Sequence, residues 1–147
     1  MTKKAMVIIG VCALVVGAVA AGVWWRCGGN RPAANEVTPA EFEKIKGPWV
    51  RPDGGYVLDI KARLPDEGVE AAYFNPSPIR VGKAKLFKER GVIKVYVELQ
   101  GPNYAGSTYT LHYDALNDQL AGVYYQAVQQ MSYEIAFTRI EGGAPGK

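Results

Sequence analysis

The spacing of hydrophobic positions changes twice along the chain, and each change predicts a different kind of element. Residues 5–25 form an apolar run of 21 residues without a charged side chain. Residues 38–45 follow a helical spacing, and from residue 56 to residue 139 apolar and polar residues mostly alternate. A long apolar run is typical of a membrane-spanning helix, whereas alternation is typical of half-buried strands. The pattern predicts an apolar N-terminal helix, a short second helix and a β-domain.

The apolar run is long enough to cross a bilayer. At about 1.5 Å per residue a helix of this length spans roughly 31 Å. Lys3 and Lys4 precede the run, and a pair of tryptophans ends it, as in an interfacial aromatic belt. We expect residues 1–27 to form an anchor that crosses the membrane through residues 5–25. The two lysines favour a cytoplasmic N-terminus, with the β-domain outside the cytoplasm and periplasmic in a bacterium.

The same segment also has the features of a cleaved secretory signal. A basic start, an apolar stretch and an A-x-A pattern at residues 18–20 are what such a signal requires. Cleavage and retention both export the rest of the chain. Lipidation of Cys12 is disfavoured, because the bulky Val11 stands where lipoprotein signals need a small residue. Cys27 is interpreted as a free thiol beside the membrane, with an intermolecular disulfide as the alternative.

Three further regions follow the anchor. Residues 28–37 are small and polar and predict a flexible linker. The β-domain is expected over residues 38–141, and residues 142–147 are expected to form a flexible tail. The domain opens with a short helix, because Thr38 suits the N-cap and is followed by proline and, three positions on, by glutamate. Phe42 supplies an apolar edge to that helix, and a Gly-Pro pair ends it.

Seven segments of alternating polarity follow, separated by Gly, Pro, Asn and Asp residues that form turns. They are residues 56–63, 69–75, 80–88, 92–100, 107–114, 120–127 and 131–139. In the third segment Ala84 and Leu86 are expected on one face and Val81 on the opposite face. No helix in this region is long enough for a parallel crossover. We expect an all-β fold, a small antiparallel up-and-down barrel or curved sandwich of seven or eight strands.

The charge distribution argues against nucleic-acid binding. The 147 residues include 17 Lys and Arg and 14 Asp and Glu, and Lys3, Lys4 and Arg26 account for the whole excess. The rest of the chain is therefore neutral, whereas nucleic-acid binding domains need a basic excess. One histidine and two cysteines are too few for a multi-ligand zinc site or a disulfide framework. We expect no metal and no cofactor.

The sequence also argues against an enzyme. It contains no nucleophile elbow, P-loop, dinucleotide-binding or H-E-x-x-H motif. His112 is the only ready general base near neutral pH, and the alternation assigns it to the polar face of its strand. Asp66 and Glu67 are adjacent in a turn, where they point apart, unlike the paired acids of a glycosidase. No catalytic residue is predicted.

A local basic cluster surrounds the third segment. Within 15 residues it has six basic side chains and one acidic side chain, Glu89. The basic residues are Arg80, Lys83, Lys85, Lys88, Arg90 and Lys94. Such a cluster suits contact with anionic lipid headgroups. The preferred interpretation is that charged side chains on exposed strands suppress edge-to-edge aggregation.

Nine tyrosines, several near loops or strand ends, suggest a ligand pocket, although tyrosine is also a common strand residue. The meander brings some strand ends and loops to one mouth, where amides would orient a ligand. The predicted ligand-binding residues are Tyr73, Asn75, Tyr104, Tyr124 and Gln126. A one-residue register slip would turn Tyr124 and Gln126 to the opposite face.

Two motifs resemble those of barrel families. Gly47-Pro48-Trp49 after a short helix resembles the G-x-W opening of lipocalins and avidins, in which the tryptophan closes one barrel end. Residues 120–128 (LAGVYYQAV) resemble the L-x-G-x-Y-x-x-A-V stretch of a streptavidin-type strand, which implies a ligand contact at Tyr124. The tryptophans that avidins stack on biotin are missing, so the resemblance does not extend to biotin binding.

Two other stretches, residues 72–79 (AYFNPSPI) and 106–111 (GSTYTL), look like a small uncharacterised bacterial family of exported domains. The combined expectation is a membrane-tethered, non-catalytic extracytoplasmic β-domain that binds a small apolar or amphipathic ligand. The alternative is an accessory or interaction subunit of a membrane protein complex, because glycines in the apolar run permit close helix contact. A cavity would favour the first function, and a filled core with an exposed apolar patch the second.

Overall fold

The computed structural model describes residues 35–140. The predicted anchor at residues 1–27, most of the linker and the tail at residues 142–147 lie outside this range. Among the described residues, no helix is both long enough and apolar enough to cross a membrane.

One helix and eight strands make up the described chain. The helix α1 spans Pro39–Ile45. The strands are β1 Gly47–Arg51, β2 Tyr56–Arg63, β3 Val69–Asn75, β4 Ser77–Glu89, β5 Val92–Gln100, β6 Thr108–Asp114, β7 Gln119–Gln126 and β8 Met131–Arg139. Each strand pairs antiparallel with the next, and β8 pairs with β1, so the sheet closes into a barrel. The predicted all-β up-and-down barrel is confirmed.

The barrel has two different ends. Because consecutive strands run in opposite directions, alternate connections lie at the same end. The connections β1–β2, β3–β4, β5–β6 and β7–β8 form what we call the loop end. The connections β2–β3, β4–β5 and β6–β7, together with α1, form the helix end.

The predicted short helix is present with its predicted cap. The Thr38 hydroxyl accepts a hydrogen bond from the Glu41 backbone N–H at 3.3 Å, and the Glu41 carboxylate accepts one from the Thr38 N–H at 2.8 Å. This reciprocal capping satisfies two backbone donors that a helix start leaves unpaired. Phe42 and Ile45 are buried in the core of the barrel. The helix therefore contributes apolar side chains to the core at its own end.

Fully buried side chains fill the middle of the barrel. They come from α1 and from most of the strands, and they alternate along each strand with outward-facing residues. The largest are Trp49, Tyr109, Phe137, Ile45, Leu58, Ile60, Leu99, Leu111 and Leu120. On β5 every second residue is buried, as the alternation predicts. The apolar interior is thus a packed core.

Two local features differ from the sequence prediction. The alternating pattern did not identify β1 as a strand, although Trp49 pairs with Leu58 of β2 and with Arg139 of β8. The predicted placement of Val81 opposite Leu86 is wrong. Val81 pairs with Leu99 and Leu86 with Val95, both buried partners, because a register shift between Val81 and Lys83 inserts an extra residue. A bulge shifts the alternation of side chains by one position. Val81 and Leu86 therefore lie on the same, inward face of the sheet, although their spacing would place them on opposite faces of a regular strand.

Candidate functional site

A cavity of about 430 Å³ lies at the loop end of the barrel. All five residues of the predicted site line it: Tyr73, Asn75, Tyr104, Tyr124 and Gln126. The register places Tyr124 opposite Tyr109 of β6 and Tyr133 of β8, and both of these residues also line the cavity. The structure therefore brings the predicted residues together. Their role in ligand binding stays a prediction.

Strand polarity explains this convergence. Tyr73 and Asn75 end β3, and Tyr124 and Gln126 end β7, so all four reach the loop end with the same inward alternation. Tyr104 comes from the β5–β6 connection. The Asn75 side-chain amide donates a hydrogen bond to the Tyr104 hydroxyl, which ties this loop to the end of β3.

Tyrosines form the floor of the cavity. Tyr109 is fully buried, and its ring stacks on Tyr124 with the ring centroids 4.6 Å apart. The hydroxyls of Tyr109 and Tyr73 share a hydrogen bond of 2.8 Å, and the rings of Tyr109 and Phe137 meet edge to face with their centroids 5.4 Å apart. Burial raises the pKa of Tyr73, of Tyr109 and of Tyr124 above the ordinary tyrosine value. These hydroxyls are therefore neutral near physiological pH and act as hydrogen-bond donors and acceptors.

Arg51, which the sequence interpretation missed, is the main charged group of the site. It ends β1 with only 8% of its surface exposed. Its Nε and Nη2 atoms donate to the two carboxylate oxygens of Asp53 at 2.9 and 2.5 Å. Its Nη1 donates to the Tyr109 hydroxyl at 3.2 Å, and its guanidinium carbon lies 4.6 Å from the centre of the Tyr56 ring.

Hydrogen bonding keeps this buried guanidinium charged. Burial alone disfavours the charge of Arg51, but the hydrogen bonds to Asp53 and Tyr109 outweigh it and raise the arginine pKa above its ordinary value. The hydrogen bond from Arg51 in turn lowers the pKa of Asp53. Both groups are charged near neutral pH, so the cavity contains a formed ion pair.

Further lining residues were not among the predicted ones. They are Arg51, Asp53, Tyr56, Asn103, Tyr109 and Tyr133. Arg51 could have been found from its position two residues after Trp49, because strand residues two apart share a face. That signal depends on recognising β1, which is only five residues long and lies between a short helix and a turn. Recognising β1 would also have placed Tyr56 at the cavity, because Tyr56 of β2 pairs with Arg51 of β1.

The cavity is lined mainly by polar and aromatic side chains. Its floor is made of tyrosine rings and hydroxyls with Arg51 beside them, and the buried apolar side chains below are already packed together. The space available is therefore a polar and aromatic basin at one end of the barrel. A basin of this kind suits a compact molecule better than a long acyl chain.

A second cavity, of about 550 Å³, lies at the helix end between residues 35–37 and the β2–β3 turn. Most of its lining residues are exposed. Its charged side chains already form exposed ion pairs, Arg63 with Glu36 at 3.3 Å and Lys85 with Glu67 at 3.8 Å. This is a surface groove beside the start of the described chain. The loop-end cavity, built from inward-facing side chains, is the stronger candidate for a binding site.

The basic cluster is partly neutralised by neighbouring acids. Besides Lys85, Lys88 pairs with Glu41 at 2.9 Å and Lys94 with Glu89 at 3.7 Å. Three of its six basic side chains thus have an acidic partner. The local excess of charge predicted from the sequence is correspondingly reduced.

His112 is not among the residues that line the cavity. On β6, His112 alternates with the inward Leu111 and pairs across to Lys94 of β5. Within residues 35–140, no group of three His, Cys, Asp or Glu side chains is arranged to hold a metal ion.

Comparison of the chain with known protein families, with curated proteins and with solved structures finds no match. The resemblance to lipocalins and avidins stays a prediction.

Proposed function

We propose that this protein is a membrane-tethered, non-catalytic binding protein whose barrel holds a small amphipathic ligand at the loop end. The observation that carries the proposal is the cavity of about 430 Å³ lined by six tyrosines, three amides and one ion pair. Ligand pockets typically occupy about 300–1,000 Å³ and combine apolar surface with a few oriented polar groups. Tyrosine supplies both properties, through a flat ring and a hydroxyl.

The chemistry of the lining groups supports binding without catalysis. A tyrosine general base would need a pKa lowered towards neutrality, whereas burial raises the pKa of Tyr73, Tyr109 and Tyr124. The hydrogen bond from Arg51 stabilises the charged form of Asp53 and so lowers the basicity of its carboxylate. These groups are suited to donating and accepting hydrogen bonds from a bound molecule.

The membrane tether is the second part of the proposal. Residues 5–25 would cross the membrane with Lys3 and Lys4 in the cytoplasm, and the barrel would lie outside it. Leu116, which is 96% exposed in the β6–β7 turn, is a suitable labelling position. In a Cys12→Ser, Cys27→Ser background, Leu116→Cys should react with a membrane-impermeant maleimide once the outer envelope is permeable and the inner membrane is intact. Protection until the inner membrane is opened contradicts the proposed topology.

Native mass spectrometry of the full chain extracted from its own membrane tests ligand binding. The wild type should retain a small molecule, and the Tyr124→Ala, Gln126→Ala double variant should lose it while keeping its circular dichroism spectrum. Tyr125→Ala is the matched control, because Tyr125 is adjacent in sequence but lies on the outer face of β7. Retention by the double variant, or a wild type with no bound molecule, contradicts the proposal.

A second candidate function, an interaction subunit of a membrane complex, is favoured by exposed apolar side chains. Val123 and Tyr125 of β7 and Val128 of the following turn are all exposed. Exposed apolar surface is common at protein interfaces. The variant Val123→Thr, Val128→Ser should then reduce the size of the native complex in mild detergent, and Leu64→Ser at the opposite end should not. An unchanged complex in both variants excludes this use of the outer face.

A further inference from the structure

We infer that the ligand of the loop-end cavity carries a carboxylate, which binds Arg51 in place of Asp53. This inference rests on the proposed function and specifies the chemical class of its ligand. Asp53 would act as an internal competitor that occupies the guanidinium until a ligand carboxylate replaces it. The argument depends on three features: the burial of Arg51, the exposure of Asp53 and the flat tyrosine faces beside them.

Arg51 presents a binding geometry that matches a carboxylate. The planar guanidinium uses two parallel N–H groups, Nε and Nη2, to hold both oxygens of Asp53. This bidentate arrangement fits a carboxylate, and Asp53 shows that there is room for one at this position. Because Arg51 is almost completely buried, an anionic partner strongly stabilises its charge. The Asp53 carboxylate marks the position and orientation that a ligand carboxylate would adopt.

Asp53 is held far less firmly than the arginine it pairs with. Its side chain is 59% exposed, and that of Arg51 is 10% exposed. Asp53 lies in the β1–β2 turn, whose residues 52–55 are all exposed. The carboxylate can therefore rotate into solvent without opening the core. An exposed carboxylate regains most of its hydration when it leaves, which keeps the cost of replacement low.

The rest of the cavity favours a planar body attached to the carboxylate. The rings of Tyr124 and Tyr133 are nearly parallel, with centroids 6.3 Å apart and planes inclined by 22°. Tyr133 is 37% exposed, which places its ring at the mouth of the cavity. The charged residues of the lining are Arg51 and Asp53, so displacement of Asp53 leaves one positive charge facing flat aromatic surfaces. Such a site selects a planar anion over a neutral or cationic analogue.

Isothermal titration of the full chain in detergent tests this inference with two probes of the same shape. They are trans-cinnamate, a planar carboxylate, and trans-cinnamamide, its neutral counterpart. The wild type should bind cinnamate at least about tenfold more tightly than the amide, the factor expected for one charge-assisted hydrogen-bond pair. Asp53→Asn removes the competing charge and should tighten cinnamate binding about tenfold further, with little change for the amide.

The barrel itself offers a matched control. Asp118 holds Arg139 through the same two guanidinium nitrogens, at 2.8 and 3.1 Å, but lies at the helix end away from the cavity. Asp118→Asn should leave the affinity of both probes unchanged. Arg51→Lys keeps the positive charge but removes the two-pronged geometry, and should weaken cinnamate binding by about tenfold or more. A thermal unfolding curve for each variant separates loss of binding from loss of fold.

Several outcomes overturn the inference. Weaker cinnamate binding in Asp53→Asn would mean that Asp53 contacts the ligand directly, as in a site for cations. Equal affinity for cinnamate and its amide would show that the negative charge of the ligand does not contribute to binding. If neither probe binds while native mass spectrometry still finds a retained neutral or cationic molecule, the inference fails and the proposed function stands. If neither probe binds and no molecule is retained, both fail together.

Discussion

Each end of this barrel contains an arginine–aspartate ion pair, and the two pairs differ in their surroundings. At each end an arginine holds an aspartate through two hydrogen bonds and lies over an aromatic ring. At the helix end, Arg139 holds Asp118 and lies 4.1 Å from the Trp49 ring centre. At the loop end, Arg51 holds Asp53, with Tyr56 as its aromatic neighbour.

The difference lies in the remaining donors of each guanidinium. Arg139 donates to the backbone carbonyls of Lys44 and Lys46, at the C-terminal end of α1. Carbonyls at a helix C-terminus lack partners within the helix, so Arg139 joins α1 to the barrel. Trp49 strengthens this junction, because its Nε1 donates to the Ile45 carbonyl at 2.8 Å.

Arg51 instead donates to a side chain on the floor of a cavity, and its carboxylate partner lies in an exposed turn. Backbone partners cannot leave without breaking secondary structure, whereas a turn carboxylate can. Arg139, which is only half-buried, is bound by backbone carbonyls and so joins parts of the fold. Arg51 has a carboxylate partner in an exposed turn, and it is the arginine for which we propose a role in recognition.

The largest expected effect is on stability at the helix end. Trp49→Ala should lower the free energy of unfolding by about 3–5 kcal/mol, because it removes a fully buried ring and the hydrogen bond to Ile45. Urea unfolding followed by near-ultraviolet circular dichroism measures the loss. Tyr133→Ala at the loop end, where the ring is partly exposed, should cost less than half as much. An unchanged midpoint for Trp49→Ala would contradict the structural role of the helix end.

An intermediate effect separates the two arginines. Arg139→Met keeps the apolar stem but removes the carbonyl contacts and the ion pair, and should cost about 1–3 kcal/mol of stability while leaving the retained ligand in place. Arg51→Met should abolish ligand retention. Parallel unfolding curves and native mass spectra of both variants test this division. Loss of the ligand in Arg139→Met but not in Arg51→Met would contradict this division.

The smallest effect is a pH dependence at the helix end. Hydrogen bonding to the Thr38 backbone, and then to Lys88, lowers the pKa of Glu41 from its ordinary 4.5 to about 2. A lowered pKa in the folded state means that Glu41 contributes stability above pH 4.5, and that this contribution disappears as the pH falls towards 2. The loss of stability in Glu41→Gln should therefore be largest near pH 6 and shrink across this window.

Unfolding midpoints of wild type and Glu41→Gln between pH 2 and pH 6 measure this convergence, as expected for a single titrating group. Glu43→Gln is the control, because Glu43 is an exposed residue of the same helix with a weak partner, Lys46 at 3.7 Å. The unfolding midpoint of Glu43→Gln should differ little from that of the wild type at every pH. A constant difference for Glu41→Gln would mean that the capping contact depends on shape and not on charge.

Much of the fold was readable from local patterns. The helix cap needs only neighbouring residues, since Thr38 and Glu41 satisfy each other's backbone groups across three positions. Regular alternation on β5 identifies its buried face, because strand geometry repeats every two residues. The arrival of Asn75 and Gln126 at one mouth was predicted from strand direction, whereas the inward facing of Tyr124 also depended on the register.

Other features depended on contacts between distant parts of the chain. Closure of the barrel requires β1 to pair with β8, although Trp49 and Arg139 are far apart in sequence. The bulge in β4 became visible only through its register against β5. Arg51 is buried because its side chain meets Tyr109, 58 positions later, and such burial has no local signature. Local patterns specify which residues can face inward, because they depend on backbone geometry. Which inward residues fill the core and which surround a cavity depends on how strands from the whole chain pack against one another.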